Sequence, residues 1–268
     1  MTPLTLLALL ALLALAILIW VGPLWRPRPL PGVTRARPWA LGHRGVRGSL
    51  PENTLAAFRA ALDAGLDGLE TDVQRTRDGT LVLVHDFVVG GVRVTGASEA
   101  EVRRVVPQMA TLDELLELVR AHPGTLLNVE LKTLGWSDGR LARAVAAALV
   151  ASGLGNRLVV SSFSFVALLR FRRHAPRIRT AYLWSEKEPV PRIARSPWPA
   201  ALLHADALHP HHGAVTPKRV ALWRRRGLTV STWTVNASDD VARVVAAGVD
   251  GVMADDPPAL LRALGRAT

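Results

Sequence analysis

Two histidines, His43 and His85, three acidic residues, Glu70, Asp72 and Glu130, and two cations, Arg44 and Lys132, stand at or just past the ends of short apolar runs. Glu70 and Asp72 are two apart, so on a strand they share one face. Glu130 closes a second strand, with Lys132 on its side. Three carboxylates converging at one point repel unless a cation sits between them. An all-oxygen ligand set suits Mg²⁺, Ca²⁺ or Mn²⁺ rather than zinc, so one divalent cation is predicted. Imidazoles titrate near neutrality, and a pair of them can exchange proton donor and acceptor roles within one displacement reaction. The planar fork of Arg44 suits two oxygens of an anion such as phosphate, and Lys132 supplies a point charge to it. Glu52 is read as part of the polar network around them. Asn53 either caps the following helix or binds substrate, and Trp233 either walls the pocket or fills the space above the core.

The remaining chain alternates strand and helix in a way that places these groups at one end. Strands are predicted at 40–42, 68–74, 125–132, 158–163, 180–184, 206–209, 228–235 and 251–254. Helical patterns fall at 54–64, 112–121, 139–151, 165–174, 217–226, 238–247 and 258–264. Eight parallel strands with right-handed helical connections make a (β/α)₈ TIM barrel, whose sites form at the C-terminal strand ends. The fragment Leu81–Val84 follows the second strand too closely for a parallel crossover. It is expected to form an antiparallel hairpin about Asp78-Gly79, projecting at the mouth and setting Asp72 opposite His85. The stretch 87–109, with its Gly90-Gly91 pair, reads as irregular.

In order, His43-Arg44-Gly45, Pro51-Glu52-Asn53-Thr54, Glu70-Thr71-Asp72, His85-Asp86, Glu130-Leu131-Lys132, Trp233-Thr234-Val235-Asn236 and Asp255-Asp256-Pro257 resemble the motifs of the glycerophosphodiester phosphodiesterase family, within the PLC-like phosphodiesterase superfamily. The resemblance runs from His43 to Pro257, about four-fifths of the chain. It implies Glu70, Asp72 and Glu130 as ligands of the metal and His43 and His85 as the catalytic acid and base. It also implies Arg44, Glu52, Asn53, Lys132 and Trp233 around the substrate. The expected activity is hydrolysis of a small-molecule glycerophosphodiester to glycerol 3-phosphate and an alcohol, in lipid metabolism. One departure stands out: the Arg-Thr-Thr element that the family carries between the HD motif and the next helix is missing, so recognition of the leaving group through that insertion is not expected here.

The chain has 33 basic and 22 acidic residues, a net charge of +11, and only three of the basic ones are lysines. Such a balance favours anionic partners without choosing among them. No basic aromatic stripe or recognition motif accompanies it, so nucleic acid is not an expected partner. The absence of cysteine excludes disulfides and thiolate metal sites. The run His209-Pro210-His211-His212 lacks a neighbouring carboxylate pair and is not read as a second metal centre. Leu4 to Val21 is apolar apart from Thr5, and residues 1–22 are read as a single-pass transmembrane anchor. A cleaved secretory signal fits less well, because no Lys or Arg precedes the run and no small-x-small site follows it. Arg26, Arg28, Arg35 and Arg37 beyond the span place the catalytic domain on the cytoplasmic side of a membrane. Residues 23–38, with five prolines, read as an extended linker, leaving 39–268 as the catalytic domain. An anchor would also bring a phospholipase C- or D-type action on intact lipids within reach. A non-enzymatic lipid- or partner-binding module would require a degenerate site, and no ligand or histidine of the set is missing. The oligomeric state is not legible.

Overall fold

The computed structural model describes residues 2–22, 24–30, 37–133, 139–186 and 197–266. Its strands are β1 (Trp39–His43), β2 (Gly68–Arg75), β3 (Leu81–Leu83), β4 (Val88–Val89), β5 (Val92–Arg93), β6 (Leu126–Leu131), β7 (Leu158–Ser162), β8 (Arg179–Trp184), β9 (Ala207–Pro210), β10 (Thr229–Thr232) and β11 (Gly251–Ala254). Its helices are α1 (Pro3–Val21), α2 (Leu55–Asp63), α3 (Glu99–Val105), α4 (Leu112–Ala121), α5 (Gly139–Ala151), α6 (Phe165–His174), α7 (Trp198–Leu203), α8 (Pro217–Arg225), α9 (Ser238–Ala246) and α10 (Pro257–Ala263). Strands β1, β2 and β6 to β11 pair in parallel, and the β1–β2 pairing closes the ring. This is the expected TIM barrel.

Period-two alternation sorts each strand between two cores. On β6, Leu127, Val129 and Leu131 join the large apolar layer under the helices. Leu126 turns inward, into a small core with Leu41, Val159, Ala181, Ala207 and Met253. Asn128 and Glu130 share that inward face, so towards the C-terminal end of the strand the barrel interior turns from apolar to polar. Helix starts follow side-chain chemistry: Thr54 caps α2 by accepting from Ala57 N at 3.2 Å, and Thr111 with Glu114 forms a capping box on α4.

The hairpin is present, but its register differs from expectation. Val73 pairs with Leu83 and Arg75 with Leu81, so Val84, not His85, falls opposite Asp72. The cause is a three-residue turn: Gly79 N–H donates to Thr76 O at 3.1 Å and Thr76 N–H to Thr80 O at 3.0 Å. Gly79 takes the left-handed conformation (φ +105°) that such a loop needs. The segment 87–109 is also more ordered than its sequence implied. It holds the small β4–β5 ladder and α3, whose capping box pairs Ser98 with Glu101.

At the N-terminus, among the described residues, no helix is long and apolar enough to cross a membrane. The N-terminal helix is α1, of 19 residues. Its C-terminal end is instead fastened to the barrel. The Trp20 ring stacks on His204 with centroids 4.0 Å apart, and its indole N–H donates to Leu202 O at 2.9 Å. These findings overturn the single-pass anchor and the membrane localisation expected from residues 1–22. Residues 24–30, expected as part of an extended linker, also pack on the barrel, while 31–36 lie outside the described residues. Trp25 donates its indole N–H to Ala205 O at 3.0 Å, and Leu30 joins the inner core from below. Arg28 makes a two-pronged bond to the buried Asp206 carboxylate, Nε to Oδ1 at 2.9 Å and Nη2 to Oδ2 at 2.8 Å.

Candidate active site

His43 ends β1, and the chain then turns sharply through Arg44 (φ +58°) and Gly45 (φ +88°). A side chain on Gly45 would put its Cβ 2.7 Å from the Ala57 backbone, so the close approach of this turn to α2 requires glycine. The turn is knitted to the next one: Asn53 N–H donates to Arg44 O at 3.0 Å, and Arg44 Nη1 donates to Glu52 Oε1 at 2.9 Å. Asn53 also sits at positive φ (+56°). Two non-glycine residues in this sparsely populated region of backbone space mark a locally strained, over-determined site.

Glu70 and Asp72 project inward from β2, and Glu130 from β6, where it pairs in register with Asp72. One oxygen of each carboxylate lies within 4.8 Å of those of the other two. Asp72 is the most firmly held. Asn53 Nδ2 donates to its Oδ2 at 3.1 Å, Lys132 Nζ lies 3.5 Å from its Oδ1, and Arg44 Nε forms an ion pair with Oδ2 at 3.0 Å outside hydrogen-bond alignment. Lys132 Nζ also contacts Glu130 Oε1 at 3.1 Å. Burial opposes the Asp72 charge, but Lys132, Arg44, His85 and the Asn53 amide outweigh it and hold its pKa below the usual value. Glu70 has no such surplus. Burial first, then Asp72 and Glu130, push it well above the carboxylate range. Glu130 is pushed up to about 7, chiefly by burial, with Asp72 adding to Lys132's incomplete compensation. Burial also works against Arg44 and Lys132, yet the surrounding carboxylates keep both firmly charged. Three carboxyl groups thus share two cations, and two of them hold their protons more tightly than usual, in a buried all-oxygen setting where a hard divalent cation would favour their ionised forms.

His43 flanks this cluster, its Nε2 4.0 Å from Glu70 Oε2. Its Nδ1 is 2.7 Å from Asp255 Oδ1, and Asp255 Oδ2 accepts from Asn236 Nδ2 at 2.7 Å. The carboxylate fixes the proton on Nδ1 and turns Nε2 towards the site. His85 is on the other flank, past β3 on the hairpin, with Nδ1 2.7 Å from Asp86 Oδ1. Burial lowers its pKa, aided by Lys132 and Arg44 and opposed by Asp72 and Asp86.

The sequence-derived residues therefore meet at one end of the barrel, with different engagements from those expected. Asn53 does not cap α2, which Thr54 does. It is buried, and its amide joins Asp72 to Thr71, whose hydroxyl donates to Asn53 Oδ1 at 2.8 Å. Glu52 bridges Arg44 and Arg47, the latter at 2.8 Å. Trp233 is half-buried beyond β10, edge-on to Phe163 (5.5 Å) and His211 (5.4 Å), with its indole N–H on His209 O at 2.7 Å. The mouth is thus divided, with charge over β1, β2 and β6 and aromatic rings over β7, β9 and β10. Sequence reasoning had Asp255 and Asn236 in view within motifs but gave neither a role. The signal was there: of the adjacent Asp255 and Asp256, one caps α10 by accepting from Ala259 N at 2.9 Å, which leaves the other free to face the barrel.

The model of the glycerophosphoryl diester phosphodiesterase family matches residues 43–259, spanning every group just described. The chain belongs to this family. A glycerophosphodiester phosphodiesterase from Caldanaerobacter subterraneus subsp. tengcongensis is 30% identical over 238 residues, covering 82% of this chain and 95% of that protein. A crystal structure from Silicibacter pomeroyi DSS-3 is 30% identical, with a TM-score of 0.77 over 88% of this chain and 95% of its own. A phosphodiesterase from Oleispira antarctica, solved with the product sn-glycerol-3-phosphate, is 25% identical, with a TM-score of 0.74 over 85% and 97%.

Proposed function

We propose that this protein hydrolyses glycerophosphodiesters to glycerol 3-phosphate and an alcohol. The observation that carries the reading is the convergence of the Glu70, Asp72 and Glu130 oxygens within 4.8 Å, beside a histidine locked by Asp255 at 2.7 Å. Family relatives with this activity in their names, and a structural neighbour holding the product, support it.

Glu70, Asp72 and Glu130 would hold one divalent cation, Mg²⁺, Ca²⁺ or Mn²⁺. Such an ion supplies positive charge against the phosphoryl oxygens. Arg44 and Lys132 face the same oxygens and add charge that is already paid for by the carboxylates around them. His43 and His85 divide the proton work. One accepts a proton from the nucleophile, and the other donates one to the departing alcohol oxygen as its bond to phosphorus breaks. Asp255 prepares His43 for this by holding Nδ1–H and stabilising the imidazolium that forms. The nucleophile is either water or the glycerol 2-hydroxyl, the latter giving a cyclic phosphate that water then opens. Trp233, with Phe163 and His211, walls the glycerol side of the mouth, while Glu52 keeps Arg44 in place.

The test is release of glycerol 3-phosphate from glycerophosphocholine, glycerophosphoethanolamine and glycerophosphoglycerol, with and without a chelator, and with His43→Ala. Chelation and the substitution should each abolish turnover. Full activity in either arm overturns the reading.

A further inference from the structure

Gln74 follows Glu70 and Asp72 on the inward face of β2 but lies beyond the cation site, where β2 leaves the barrel to pair with β3. It is completely buried. Its Nε2 donates to Val84 O at 2.9 Å and to Asp86 O at 2.8 Å, with His85 O at 3.5 Å. One NH₂ group thus draws together the carbonyls on either side of His85, with that of His85 itself at the limit of reach, so the backbone of residues 84–86 arches around the amide nitrogen. The same segment is held from a second direction by Val84 N–H donating to Asp72 O at 3.1 Å. Among the described residues the Gln74 Oε1 has no hydrogen-bond partner, so the donor end of the amide accounts for its placement. Asp86, whose carboxylate sits 2.7 Å from His85 Nδ1, is carried on the same arch.

We infer that Gln74 is a positioning residue for His85: its amide clamps residues 84–86 so that the imidazole and its Asp86 partner meet the reacting groups gathered by Glu70 and Asp72. The inference rests on the acid–base role given to His85 above. The geometry favours it over a purely architectural role because an apolar side chain of the same shape would fill the space equally well. Only an NH₂ group supplies two donors at one point. The register of the hairpin adds to the need, since His85 lies one residue beyond the position opposite Asp72 and is not placed by strand pairing alone.

The experiment is a double-mutant cycle on the full chain with glycerophosphocholine, using Gln74→Met, His85→Ala and the double variant, with folding checked by circular dichroism and cation affinity measured by Mn²⁺ titration. Gln74→Met should lower kcat about 10²-fold, the scale of a misplaced catalytic group. KM and Mn²⁺ affinity should stay within about twofold of the parent, and the limb of the pH–rate profile belonging to His85 should move. In the His85→Ala background, the same substitution should cost almost nothing more, because the group it positions is gone. An equal loss in both backgrounds, an unmoved pH profile, or weakened Mn²⁺ binding would overturn the positioning role while leaving the catalytic assignment standing. Near-parental activity in His85→Ala would instead remove the assignment itself, and the inference with it. Should Gln74→Met fail to fold, Gln74→Leu, which likewise supplies no donor and adds no charge, takes its place with the same expectations.

Discussion

At the scale of single residues, the site depends on how each charge is compensated. Asp72 has two cations and an amide about it and stays ionised, whereas Glu70 and Glu130 hold raised pKa values in the same cluster. The difference lies in partners rather than in burial, which all three share. The same logic singles out Asp255. It accepts from Asn236 and pairs with His43, and it keeps a depressed pKa against burial because His43 and Asn236 favour its charge. Asp255→Asn should leave the fold intact and lower kcat by about 10²- to 10⁴-fold, the range expected when a histidine loses the carboxylate that sets its tautomer. Steady-state kinetics beside a thermal melt would separate this outcome from unfolding. A loss below tenfold would show that His43 does not need its partner.

At the scale of elements, the turns after β1 and before α2 work as one unit, bonded from Arg44 to Glu52 and Asn53. Gly45→Ala places a Cβ into the backbone of Ala57 at 2.7 Å and strains a residue at φ +88°. It should cost about 2–4 kcal/mol of stability, the sum of a disfavoured left-handed conformation and a steric clash with helix α2. Denaturant unfolding of the variant checks this, and a cost below about 0.5 kcal/mol would show that the turn relaxes freely. Most elements were legible, because alternating apolar runs and caps such as Thr54 and Thr111 state a strand or a helix locally. The hairpin register was not. Asp78-Gly79 reads as a two-residue turn, yet Thr76 and Thr80 pair around a three-residue loop, and one residue of difference decides which side chain faces Asp72. Helix α3 was not legible despite its Ser98–Glu101 capping box, because seven residues are too few to show a helical period.

At the scale of the whole molecule, the barrel carries a neutral imidazole in its interior. His209 on β9 is 2% exposed, and burial pushes its pKa down to about 3. An unfolded chain binds this proton below about pH 6.5 and the folded one does not, so its contribution to stability is present above pH 6.5 and is lost as pH falls towards 3. His209→Phe should therefore soften the acid dependence of the melting temperature between pH 6.5 and 4, and an unchanged slope would show that other groups govern it. The floor of the barrel is likewise a global feature, made by Leu30, Trp25 and the Arg28–Asp206 pair from a segment whose prolines read as a spacer. By itself the sequence determined the order of strands and helices, the barrel they imply and the identity of the reactive side chains, because hydrophobic period, caps and short motifs are local properties of the chain. Only the tertiary structure decided that Asp255 serves His43, that Asn53 serves Asp72, that Gln74 arches the backbone around His85 and that residues 24–30 close the barrel. Each is a contact between segments whose meeting depends on strand register and closure, which no local pattern encodes.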